Sequence, residues 1–169
     1  MTSTKNISEQ KELRMAARRS GIKRIVVGVD GSAQSAAALK WAVRIAKGMG
    51  SQITAVYAIH LPLYLAPEYG VPFQFDEEWR DQMRTEFEDK WCKQLRASGI
   101  RYRTVMEDGR PAPVIAAVAD RENADIVVVG RRGRGGVAEL VLGSVSHELV
   151  LSSRRPVLLI SLDGSRNHK

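Results

Sequence analysis

Short runs of β-branched and aliphatic residues recur along this chain, separated by longer stretches in which apolar residues return at helical spacing. The runs are Ile25-Val26-Val27-Gly28-Val29, Ile53 to Ile59, Ile100 to Met106, Asp125-Ile126-Val127-Val128-Val129 and Pro156 to Ile160. Nearly continuous apolar runs of this length predict strands covered on both faces, the signature of a parallel sheet. Between the first two runs, Ala36 to Lys47 predicts a helix with Leu39, Ala42, Val43 and Ala46 on one face, Ser32 as its N-cap, and Gly48 and Gly50 as its stop. A longer helix is predicted to start near Asp76-Glu77-Glu78, acids that suit a helix N-terminus, and to end at Gly99. Its residues Trp79, Met83, Phe87, Trp91 and Leu95 recur every four positions and form a stripe for packing on a sheet. Pro113 to Arg121 and Gly143 to about Ser152 predict two more helices. Residues 60–75 hold Pro62, Pro67, Gly70 and Pro72 among aromatics, and predict an irregular loop that carries a function or covers something.

The resulting order, β-α-β-loop-α-β-α-β-α-β, predicts a single-domain, doubly wound α/β protein with a five-stranded parallel sheet and helices on both faces. Ligands of such sheets bind outside the carboxyl ends of the strands, near the point where strand order reverses. Asp30 and Gly130 both fall at such ends. The boundaries read as a basic leader over 1–22, the domain over 23–162, and a tail over 163–169.

Composition narrows the class. No run of about 18 apolar residues is present, and the polar N-terminus lacks an apolar signal region. The single cysteine, Cys92, fits a reducing cytoplasm. A net charge of +7 raises nucleic acid or anionic membrane as partners. Residues 1–24 carry seven Lys/Arg against Glu9 and Glu12, however, and the other 145 residues carry 19 Lys/Arg against 17 Asp/Glu. The charge sits in the leader, which reads as a solvated tail rather than a nucleic-acid or membrane arm.

The strongest chemical signal follows Val129. Gly130, two residues, Gly133, nine residues, then Gly143-Ser144 places a glycine-rich loop between a strand end and a helix start. Exposed backbone N–H groups and a positive helix end suit phosphate, and Arg131, Arg132 and Arg134 add three cations, of which one is expected to meet it. A P-loop needs four residues between its glycines and a following Lys, and the dinucleotide fingerprint needs G-x-G-x-x-G after the first strand. Neither spacing occurs here.

With Val27-Gly28-Val29-Asp30-Gly31-Ser32 after the first strand and Arg155-Pro156-Val157-Leu158-Leu159-Ile160 at the close, the chain resembles the universal stress protein family, in its ATP-binding branch, over about residues 22–162. The resemblance implies ATP, with Mg²⁺ or Mn²⁺ riding on its phosphates, or cAMP as the alternative. It implies that Gly28, Val29 and Asp30 meet the nucleoside, that the backbone of Ala58 meets the adenine edge, and that Val129, Gly130, Arg132 and Gly133 run beside ribose and phosphate. Gly143, Ser144, Val145 and Ser146 would hold the terminal phosphates. It also implies a homodimer through the Pro156–Ile160 edge strand.

Taken singly, Asp30 or Gly143-Ser144 need only begin a helix. Catalytic signals are sparse. His60, His147 and His168 belong to no local triad, Cys92 reads as packed inside its helix, and Glu107 with Asp108 does not make a metal site. The expectation is therefore a binding protein for stress response or signalling, acting through ligand-dependent conformation or partner choice. A slow ATPase or autokinase using Ser144 or a water is the enzymatic alternative.

Overall fold

The computed structural model describes residues 21–60, 77–133 and 142–162. Residues 1–20 of the leader, nearly all of the 60–75 loop, Asp76, Arg134 with Gly135 and Gly136, and the 163–169 tail with His168 lie outside the described residues.

Five parallel strands, β1 (Arg24–Gly28), β2 (Gln52–Ile59), β3 (Tyr102–Asp108), β4 (Ile126–Gly130) and β5 (Val157–Ile160), form one sheet in the order β3-β2-β1-β4-β5. The register pairs Ile25 with Ile53 on one side and with Ile126 on the other. Alternation then builds two cores. Ile25, Val27, Ile53, Ala55 and Val128 face helix α1 (Ala33–Met49) and the segment that carries Phe87 and Leu95. Val26, Val56, Val127 and Val129 face α4 (Pro111–Arg121) and α5 (Ser144–Ser152). Because both faces are buried, the strands read as unbroken apolar runs.

Several boundaries differ from the sequence expectation. Helix α1 begins three residues earlier than expected, at Ala33, because Ser32 caps it by accepting the Ser35 N–H at 3.1 Å. Gly48 lies inside the helix, and Gly50, at φ 67°, ends it in the left-handed conformation that glycine adopts freely. Strand β3 starts at Tyr102 rather than Ile100 and runs to Asp108, since pairing with β2 continues through Ile59 opposite Asp108. Pro111 opens α4, where its missing N–H is harmless.

The aromatic helix is a composite: α2 (Glu77–Thr85), a π-helical stretch Glu86–Trp91, and the short α3 (Lys93–Arg96). Its apolar spacing of four exceeds the 3.6 residues of an α-helical turn, so a straight α-helix would rotate the stripe off the sheet. The wider π turn, marked by the Cys92 N–H to Phe87 O bond at 2.9 Å, holds Phe87 and Leu95 in the core while Trp79, Met83 and Trp91 stay half-buried. Tyr57 packs edge-on against Trp91, with ring centroids 5.0 Å apart. Among the described residues, no helix is long and apolar enough to cross a membrane.

Candidate functional site

The chain leaves β1 toward one face of the sheet and leaves β4 toward α5 on the other, so a cleft opens between neighbouring strands at their carboxyl ends. A cavity of about 410 Å³ occupies it. All twelve residues singled out from the sequence line this cavity. Gly28, Val29 and Asp30 come from the end of β1, Ala58 from β2, Val129, Gly130, Arg132 and Gly133 from β4 and its loop, and Gly143 to Ser146 from the start of α5. Ser35, Val56, Tyr57, Pro111, Ile115 and Leu142 also line it. Val56 and Tyr57 could have been found as neighbours of Ala58. Pro111 and Ile115 enter from α4, where no local motif marks them. Arg131 and His147 are not in the lining; His147 is exposed on α5.

One wall of the cavity is apolar, formed by Val56, Ala58, Ile115 and Val129, which pack in one cluster. Backbone lines it as well. Helix α5 has Gly143 as its N-cap with no side-chain cap, and no acidic residue in its first turn. Its first N–H groups therefore have no intrahelical acceptor, and the positive end of the helix dipole faces the cleft. Helix α1 differs: Asp30 Oδ1 accepts the Ser32 N–H at 3.0 Å, so a carboxylate already stands at its capped end.

The glycine loop is tied down by the protein itself. The Arg131 N–H donates to Ile160 O at 2.7 Å, extending the β5 ladder, and the Arg131 carbonyl accepts the Gly143 N–H at 2.9 Å. The Ser146 hydroxyl, buried, lies 2.7 Å from the Arg131 carbonyl oxygen and 2.9 Å from that of Gly143, so it serves the loop rather than facing the cavity. The Arg132 N–H donates to Gln34 Oε1 at 2.7 Å.

At these glycines the chain approaches itself closely, most rigidly at Gly130, where the neighbouring atoms are not side-chain ends. A Cβ on Gly130 would lie 2.9 Å from the Gln34 carbonyl carbon, one on Gly133 2.7 Å from Asp30 Oδ2, and one on Gly143 3.1 Å from Arg132 Cα. By contrast, the Nε atoms of Arg131 and Arg132 are buried without a hydrogen-bond partner, and Arg132 lines the cavity. Buried polar atoms in this condition call for an anionic or water acceptor. Cys92 plays no part here. It is buried on the opposite core, and burial first, with the Glu88 charge second, pushes its thiol up to about 12.

Strand order, two covered faces and a ligand-sized cleft at the switch point define a doubly wound α/β protein with a binding cleft at its strand ends. The model of the universal stress protein family matches residues 21–161, and the chain belongs to that family. Universal stress protein MJ0531 of Methanocaldococcus jannaschii is 30% identical over 142 residues, covering 82% of this chain and 81% of its own. A universal stress protein solved in complex with cAMP superposes with a TM-score of 0.64 at 23% identity, over 84% of this chain and 98% of its own. The universal stress protein from Archaeoglobus fulgidus solved with dAMP gives 0.61 at 20% identity, over 82% and 97%.

Proposed function

We propose that the cavity binds an adenine nucleotide, ATP with Mg²⁺ or Mn²⁺ at its phosphates or alternatively cAMP, and that the protein is a stress-response or signalling binder rather than an enzyme. The observation that carries this reading is the convergence of segments more than a hundred residues apart on one cavity, which combines an apolar wall with the uncapped start of α5. A flat base with an anionic tail has the matching shape and polarity. The cAMP and dAMP complexes of universal stress proteins sharing the fold support an adenine ligand.

In this reading Ala58 and Val56 meet the base, Gly28, Val29 and Asp30 the nucleoside, and Val129, Gly130, Arg132 and Gly133 the ribose and first phosphate. The N–H groups of Ser144, Val145 and Ser146 take the remaining phosphate oxygens, with Gly143 letting the loop and helix meet. Bound nucleotide supplies negative charge that the α5 end and the Arg132 guanidinium favour. Occupancy then shifts conformation or partner choice by the difference in affinity between two states. Residues 23–162 form the nucleotide-binding domain, and the setting is cytoplasmic.

The reading includes a homodimer. Strand β5 is the edge of the sheet, Val157, Leu158 and Leu159 on it are half-exposed, and Val150, Leu151 and Leu162 nearby are exposed. An apolar edge with no further strand among the described residues suits pairing with a second copy. Light scattering at micromolar protein should give twice the chain mass; monomer alone would count against it.

Calorimetric titration with ATP and Mg²⁺, and separately with cAMP, tests the ligand. Saturable binding of either with one site per chain is expected. A folded protein that binds neither at millimolar concentration would sink the reading, and nucleotide turnover above the buffer rate would make it an enzyme.

A further inference from the structure

The peptide unit joining Arg131 to Arg132 is held from both ends by different helices. Its carbonyl accepts the Gly143 N–H at 2.9 Å and faces the Ser146 hydroxyl at 2.7 Å, both at the start of α5. Its N–H donates to Gln34 Oε1 at 2.7 Å, on the first turn of α1. The contact is partly buried and spans 98 positions in sequence. Of the two ends of a glutamine amide only the oxygen can accept, so the donor fixes which way the Gln34 side chain points. Gln34 also touches the loop through its main chain, 2.9 Å from where a Cβ on Gly130 would stand.

We propose that Gln34, which is outside the cavity lining, is a positioning residue for the glycine loop of the site: it fixes the orientation of the Arg131–Arg132 peptide and so determines which backbone groups a phosphate can reach. With Gln34 in place, the N–H groups of Arg131, Arg132 and Gly143 all point into the protein, to Ile160, Gln34 and Arg131 respectively. Those three N–H groups are then closed to a phosphate, and the backbone donors left to it include the first turn of α5. Without an acceptor at position 34 the Arg132 N–H is left unpaired and half-buried, and the peptide turns away from the α5 start to find one. The Arg131 carbonyl would then release Gly143 and Ser146, and the helix end would lose its register with the cavity. This role rests on the adenine-nucleotide reading only where phosphate is concerned; the clamp on the peptide does not depend on any ligand.

The test compares Gln34→Leu, which removes the acceptor, with Gln34→Glu, which keeps it. Amide hydrogen exchange at Arg132, followed by NMR without ligand, should be at least about tenfold faster in Gln34→Leu and near wild type in Gln34→Glu. Titration with AMP should show affinity falling about three- to tenfold in Gln34→Leu, the scale of one lost neutral hydrogen bond. Adenosine affinity should stay within about twofold, a selectivity for phosphate that a general loss of structure would not produce. Unchanged Arg132 exchange in Gln34→Leu overturns the clamp. Equal losses for AMP and adenosine, with exchange altered as expected, overturn the phosphate role. A wild-type protein that binds no AMP overturns the nucleotide reading instead, and the exchange comparison still decides the clamp.

Discussion

Replacing Gly130 with alanine adds one methyl group where β4 meets α1, and its consequence can be worked from three distances. The new Cβ would lie 2.9 Å from the Gln34 carbonyl carbon, 2.9 Å from the Gln34 Cβ and 3.0 Å from the Arg132 carbonyl oxygen. Unstrained carbon contacts sit at about 3.5–4.0 Å. None of the three atoms is the free end of a side chain, so the methyl group must push α1 or the loop aside. Gly130 is not among the glycines with positive φ, so backbone conformation adds no strain of its own. Overpacking of this kind costs about 1–3 kcal/mol, and the reduced freedom of the unfolded chain returns about 0.4–1 kcal/mol. The net is a loss of about 1–2 kcal/mol, or roughly 2–8 °C in Tm for a domain of this size.

Gly28→Ala is the control that separates clash from cavity. Its Cβ would meet Ile115 Cδ1 at 2.7 Å and Val129 Cγ1 at 3.0 Å, and Ile115 Cδ1 is the end of a rotatable side chain that can swing aside. Ile115 lines the cavity, so its displacement alters the cavity wall. Scanning calorimetry should therefore find Gly28→Ala less destabilised than Gly130→Ala, while adenine-nucleotide affinity falls in both. A Gly130→Ala protein that melts within about 1 °C of wild type, or a Gly28→Ala protein that melts lower than Gly130→Ala, would refute the packing argument.

Three further outcomes are expected. Asp125 Oδ2 accepts the Lys23 N–H at 2.7 Å and the Arg24 N–H at 2.8 Å, pinning the start of β1 to β4, so Asp125→Ala should lower stability by about 1–2 kcal/mol, read as a lower urea midpoint at unchanged slope. Cys92, its thiol pushed from an ordinary 9.0 to about 12, should resist alkylation at pH 8 until the protein unfolds; between pH 9 and 12 the unfolded chain binds fewer protons than the folded one, so stability should fall with rising pH by about 1.4 kcal/mol per unit more steeply than in Cys92→Ala. Ser144→Asp puts a carboxylate at the uncapped start of α5, and should raise stability by about 0.3–1 kcal/mol in urea titration while weakening ATP binding at least about tenfold by calorimetry.

The sheet and the glycine loop of the cavity were legible because each rests on a local rule. Strands buried on both faces show as apolar runs, and Gly130-x₂-Gly133-x₉-Gly143-Ser144 announces a loop between a strand and a helix. The apolar wall was half hidden: Ile115 looks like any inward residue of α4, and only the doubly wound topology brings it opposite Gly28. The π-helical stretch shows in the sequence only as a period of four in Trp79, Met83, Phe87, Trp91 and Leu95, a spacing that an ordinary amphipathic helix nearly shares. Gln34 carried no signal, since one glutamine in an alanine-rich helix looks like a solvated position until Arg132 is seen to donate to it. Ser146 lines the cavity, yet its hydroxyl turns to the Arg131 carbonyl instead.

The glycines acquire a different meaning from this. In a phosphate cradle one expects glycine where a side chain would strike the ligand, but here Gly130 makes room for α1, Gly133 for the Asp30 carboxylate and Gly143 for the Arg132 backbone. Their common effect is to bring the starts of two helices, from opposite faces of the sheet, against one short loop. The two starts are electrically unequal. Helix α1 is capped by Ser32 and has the Asp30 carboxylate beside its first N–H groups, whereas α5 has neither a side-chain cap nor an acidic residue in its first turn. An anion entering the cleft is drawn toward α5 and repelled by Asp30, a carboxylate that accepts from neutral hydroxyls as it does from the Ser32 N–H. A ligand that is anionic at one end, hydroxylated in the middle and flat and apolar at the other satisfies all three conditions. The opposite signs expected for Ser144→Asp follow directly: the feature that weakens α5 as a helix is the same one on which the proposed binding of phosphate rests.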